Sequence, residues 1–157
     1  MEKHKEYSRE DDEYNDLRAK EIAVDYLESK GFYKLLIPLK DQKQVFKHSD
    51  FEIYSNTQKR TVFVEVERKS NWKKTLSWEG FPTVDVSHRK EFSKSELFIM
   101  CNDTFDSIAI THTKNVLDAH VGNKDNKIML DESFFRVETS LFKFYHKHES
   151  GVWVDIN

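Results

Sequence analysis

Glu65, Glu67 and Lys69 stand at alternate positions of the run RTVFVEVERKSN, Arg60 to Asn71. Alternate residues of a strand project to the same side. If the run is extended, it therefore carries two carboxylates and an ammonium on the face of Phe63, while Val62, Val64 and Val66 line the other. Unpaired buried charge is strongly unfavourable, so a β-branched strand of this kind needs a compensating group, and a bound cation is the obvious candidate. Asp50, at the head of DFEIYS, offers a carboxylate from a neighbouring strand. Carboxylates from adjacent strands, a strand carbonyl and water are the oxygen ligands that Mg²⁺ prefers, and Mn²⁺ can substitute. An ammonium beside metal-bound water lowers the effective pKa of that water or stabilises charge developing on a phosphate. The chemistry that suits this set is hydrolysis of a phosphodiester.

The elements that would position these groups follow from periodicity. Ser8 followed by Asp11 resembles a capping box, and Ala19, Ala23, Val24, Tyr26 and Leu27 return at helical spacing. This predicts a helix from near Arg9 to near Lys30, stopped by Gly31, with Met1 to Asp16 as a polar arm or helix start. Glu21 falls at the edge of its buried stripe. Leu35 to Leu39 reads as a short strand, and Asp50 to Ser55 pairs with the opening run through a turn at Asn56 to Lys59. Asn71 to Val86 lacks a clean period and reads as an irregular crossover. A helix is expected over Ser87 to Ser95, then strands over Leu97 to Cys101 and Ser107 to Thr113. Lys114 to His120 predicts a short helix, Gly122 to Asn126 a polar loop, Phe134 to Tyr145 one or two strands, and Gly151 to Ile156 a terminal extended segment.

The bulk numbers fit one α/β domain spanning residues 1–157. Of the 157 residues, 38% are hydrophobic and 13% aromatic, enough for a real core, while 34% are charged. No apolar run approaches the ~20 residues that span a bilayer, and MEKHKEYSREDDEYND lacks the apolar segment of a signal peptide, so an intracellular location is expected. The lone Cys101, within LFIMCN, reads as a small core residue and excludes an internal disulfide framework. A formal net charge of −3 gives no global drive toward nucleic acid. Basic residues nevertheless cluster locally, at Lys69, Lys73 and Lys74 and at Arg89, Lys90 and Lys94, which would allow a local basic rim around an acidic pocket.

The order of these features resembles the PD-(D/E)XK nuclease superfamily: a helix carrying Glu21, a strand, Asp50 opening a second strand, VFVEVERK, then a helix and a strand. The resemblance covers about Leu17 to Thr113. It implies a restriction-endonuclease-like αβββαβ core, here with extra C-terminal strands, and cleavage of DNA with a divalent metal, Mg²⁺ above all. The family's Asp would be Asp50, preceded by Ser49 where Pro is usual, and its helix Glu would be Glu21. Two frames fit its Glu-x-Lys motif. Glu67-Arg68-Lys69 matches literally, whereas Glu65-Val66-Glu67 has the usual hydrophobic centre but Glu in place of Lys, with Lys90 or Arg89 as the relocated basic group. The favoured assignment has Asp50 and Glu67 as metal ligands, Glu65 or Glu21 assisting, and Lys69 positioning the attacking water. Lys73, Lys74, Arg89 and Lys90 would contact nucleic acid, and a homodimer would serve to cut two strands. The competing expectation is a noncatalytic nucleic-acid-binding or protein-interaction module on the same fold. The bland alternative for the charged face itself is a solvated outer surface of an antiparallel sheet.

Overall fold

A computed structural model describes residues 9–36, 51–73, 82–87, 95–124 and 132–156, with the side chains of residues 14–32, 51–73, 82–86, 95–119, 121 and 134–156. The first helix, α1 (Arg9–Ser29), buries Ala19, Ile22, Ala23, Tyr26 and Leu27, the spacing of one helical face. Its last turn tightens as Lys30 N–H donates to the Leu27 carbonyl at 3.0 Å, and Gly31, at φ +92°, takes the left-handed conformation that releases the chain. There follow β1 (Phe32–Leu36), β2 (Phe51–Ser55) and β3 (Arg60–Arg68), an antiparallel meander. The β2–β3 turn closes with Lys59 N–H donating to the Ser55 carbonyl at 2.8 Å. Next come β4 (Thr83–Ser87), β5 (Leu97–Cys101), β6 (Ser107–His112) and the short helix α2 (Thr113–Leu117). The chain ends in β7 (His120–Lys124), β8 (Glu132–Glu138), a 3₁₀ turn (Thr139–Leu141), β9 (Lys143–Lys147) and β10 (Trp153–Asp155).

These elements make a mixed α/β structure dominated by sheet. One sheet has seven strands in the order β1-β2-β3-β5-β6-β9-β10, and the other has three in the order β4-β8-β7. Every pair is antiparallel except β3 and β5, which run parallel with Glu65 opposite Phe98 and Glu67 opposite Met100. The large sheet has two apolar faces. On one, Phe51, Ile53, Val62, Val64, Val66, Ile99 and Ile108 pack against α1. On the other, Phe98, Met100, Ala109 and Phe144 pack with Trp72, Val84, Val86 and Val137, so the small sheet and α2 cover that side. No helix among the described residues is long and apolar enough to cross a membrane.

Most expected elements form near their expected bounds, with several corrections. The first strand lies earlier, at Phe32–Leu36, because Gly31 ends the helix and pairing with β2 begins at once, Phe32 opposite Ser55. The crossover is partly regular: Thr83–Ser87 is a strand, since Val84 and Val86 alternate into the second core. Ser87 belongs to that strand rather than to a helix, and residues 88–94 of the expected helix lie outside the described residues. Gly122 and its neighbours, expected as loop, form β7 because β8 pairs with them, His120 opposite Arg136 and Gly122 opposite Phe134.

Candidate active site

Backbone alternation in β3 puts Glu65 and Glu67 on the face away from α1, beside Phe98 and Met100 of β5. That face is not an open outer surface. The second sheet lies over it, and Glu65 is only 6% exposed. Lys69 follows the strand, with its N–H donating to the Cys101 carbonyl at 2.8 Å, so the parallel pairing carries the backbone one step further. Its ammonium donates to the Asp85 backbone carbonyl of β4 and lies 3.2 Å from Glu67 Oε2. The Lys69 and Glu67 side chains are 13% and 19% exposed, so this ion pair is shielded from bulk water. Its alignment falls short of a hydrogen bond, and Glu67 Oε2 is a buried oxygen with no hydrogen-bond donor among the described residues.

An acceptor in that state has charge compensation without direct satisfaction, which favours a cation or a further donor beside it. Glu65 and Glu67 lie about 7 Å apart along the strand from its rise per residue. Together they offer carboxylate oxygens of the hard type that Mg²⁺ and Mn²⁺ take. Among the described residues no cluster of three or more His, Cys, Asp or Glu side chains assembles in metal-binding geometry. Asp50 lies outside the described residues, as do Lys74, Arg89 and Lys90.

Glu21 occupies a different place. It is exposed on α1 and accepts from Arg18 Nη1 at 3.2 Å, whereas α1 packs on the valine face of β3, so the structure does not bring it to Glu65 and Glu67. Lys73 is exposed, with its ammonium 2.9 Å from Asp103 Oδ2. Two residues at the site escaped the sequence reading. Asp85 supplies the carbonyl that holds Lys69, and the Val84-Asp85-Val86 alternation was the signal for its strand. Arg68, on the α1 side, donates to the Asp103 carboxylate and lies over Phe105, 5.2 Å from the ring centroid; its place between Glu67 and Lys69 already set it on the opposite face.

The remaining candidates are structural. Cys101 is buried, and burial pushes its thiol from the ordinary 9.0 up to about 12, with Arg68 pulling weakly the other way. His146 Nδ1 meets Ser107 Oγ at 3.2 Å and His148 Nδ1 meets Ser150 Oγ at 3.0 Å, so the two imidazoles have separate partners. Trp72 is wholly buried in the second core. Compared with known proteins, the chain matches no family model, no curated sequence and no solved structure.

Proposed function

We propose that the chain is a metal-dependent nuclease that hydrolyses phosphodiester bonds in DNA. The observation that carries the reading is the Glu67 carboxylate. One of its oxygens is buried without a donor among the described residues, beside the Lys69 ammonium and on the same face as buried Glu65. Glu67 and Glu65 would hold Mg²⁺ or Mn²⁺ with Asp50, which immediately precedes β2 in the sequence. When bound, that ion would supply Lewis acidity toward the phosphate and toward water. Lys69, fixed by the β4 carbonyl, sets its ammonium beside Glu67, where it would position the attacking water and stabilise charge growing on the phosphoryl oxygens. The meander β1-β2-β3 with a parallel β5 beside β3 supports the restriction-endonuclease-like arrangement that the motif implies. Pairing of two copies would serve double-strand cutting.

The test is cleavage of supercoiled plasmid and of a branched DNA junction with Mg²⁺, with Mn²⁺ and with chelator. The expected result is metal-dependent cutting that falls about 10²–10³-fold in Glu67→Ala, the loss of several kcal/mol of transition-state stabilisation. One observation favours a second reading, a noncatalytic module on the same fold: the Lys69 ammonium is already engaged by Glu67 and by the Asp85 carbonyl, a tie between the two sheets. Binding without cutting in any metal would select it.

A further inference from the structure

The C-terminal end of β3 carries chemistry on both faces. Glu67 and Lys69 occupy one, and Arg68 between them projects to the other. There the Arg68 guanidinium and that of Arg18, from α1, lie over the same Phe105 ring, at 5.2 Å and 5.6 Å from its centroid. Asp103 joins a third cation, accepting from Arg68 and, at Oδ2, from Lys73 at 2.9 Å. Phe105 has φ +59°, a left-handed conformation that non-glycine residues rarely adopt. The ring projects from the β5–β6 turn, with both guanidiniums set around it.

A guanidinium has five N–H donors, and this cluster leaves donors over. Among the described residues Arg18 donates to Glu21 alone. Arg18 and Lys73 are 44% and 66% exposed, so their charge faces solvent. Planar, weakly hydrated, preorganised guanidiniums beside an ammonium recognise phosphate oxygens. The position matters as much as the chemistry, because Arg68 is the residue between the proposed metal ligand and the proposed catalytic Lys. We propose that Arg18, Arg68 and Lys73 form a phosphate-backbone track, along which a DNA strand is held as it runs past the end of β3 to the Glu67 face. The inference rests on the nuclease reading for its substrate.

The full chain is tested with a fluorescein-labelled 30-base-pair duplex, reading anisotropy across a salt series in Ca²⁺, alongside the Mg²⁺ plasmid-cutting assay. Arg18→Gln and Lys73→Gln alter exposed side chains, and far-ultraviolet circular dichroism with a thermal melt verifies their fold. Each is expected to weaken binding roughly threefold to tenfold and to lower the log–log salt slope by about 0.9, the signature of one lost phosphate contact. Arg68→Lys keeps the charge and removes the fork, and is expected to weaken binding while leaving the salt slope nearly unchanged. Wild-type affinity and slope in both Arg18→Gln and Lys73→Gln would overturn the track, whether or not the protein cuts DNA. Weakened binding by these variants in a protein that never cuts would uphold the track and sink the nuclease reading. A wild-type chain that does not bind the duplex at all overturns the track.

Discussion

Lys69 joins more of the structure than its position after the strand suggested, because it neutralises Glu67 on the large sheet and donates to a backbone carbonyl of the small one. Removing it strands a buried carboxylate and a carbonyl acceptor at once, each of which carries a desolvation penalty. Lys69→Ala is therefore expected to destabilise the fold by about 1–3 kcal/mol in urea denaturation. Lys69→Met, which keeps the aliphatic stem, should lose most of the same amount; a wild-type midpoint in both variants would show that the pair contributes nothing net. Cys101 gives a pH signature of opposite simplicity. Its folded thiol pKa is raised to about 12 by burial, so the native state holds the proton more tightly than the unfolded chain does. The linked stability is complete below the ordinary 9.0 and is lost as pH rises from there toward 12. Burial also raises the Tyr26 hydroxyl from 10.0, so the phenol adds a smaller fall of the same sign as pH approaches that value. Stability should fall with pH between 9 and 10 in the wild type and fall less steeply in Cys101→Ala, and the native thiol should resist a disulfide reagent at pH 8. The side on which Glu65 and Glu67 lie was legible from alternation alone. What holds Lys69 was not, since its acceptor is a main-chain atom on a strand remote in sequence.

The long helix was legible because its signals agree: apolar residues at helical spacing, an N-terminal polar cluster and a glycine stop. Strand β4 was hidden because the surrounding Trp, Gly and Pro residues break any period, and only five residues of strand remain within them. Strand β7 was hidden for another reason. HVGNK has a Gly, an Asn and a Lys, poor strand formers, and it is extended through its pairing with β8. The C-terminal strand β10 is tied down by side chains instead. Trp153 packs edge-on against Tyr26 of α1 with centroids 5.4 Å apart, and its Nε1–H donates to Asp25 Oδ2 at 2.9 Å. Lys147 of β9 meets the same carboxylate at 2.8 Å. Trp153→Ala removes the ring and its hydrogen bond and should cost about 1–3 kcal/mol, since the residue is only partly buried. Trp153→Phe keeps the ring packing and should cost about 1 kcal/mol or less, because an exposed carboxylate regains water. Equal losses in the two variants, measured by chemical denaturation, would place the weight on the Asp25 hydrogen bond rather than on aromatic packing.

Among the described residues three layers stack: α1, the seven-stranded sheet, and the small sheet with α2. The middle layer is apolar on both faces, so the carboxylates of β3 sit under a cover rather than on a solvated surface, and that cover is what turns a charge pattern into a question of cation binding. Two like charges on one strand face weaken the fold unless something offsets them, and Lys69 offsets one. A divalent ion that binds the folded chain alone stabilises it by RT ln(1 + [L]/Kd), about 2.7 kcal/mol at a hundredfold excess over Kd. For a chain of this length that corresponds to a rise in Tm on the order of 5–10 °C. The expected outcome is a Tm that climbs with Mn²⁺ or Mg²⁺ in the wild type and does not move in Glu67→Gln. That variant should itself melt no lower in metal-free buffer than about 1 kcal/mol below the parent, because it removes a repulsive charge together with half of the Lys69 pair. Glu65→Gln, altered separately, decides between the overlapping motif frames: a lost metal response there with a retained one in Glu67→Gln makes Glu65 the principal ligand. A wild-type midpoint unchanged across the titration would take the cation off this face and leave Glu67 and Lys69 as a link between the sheets.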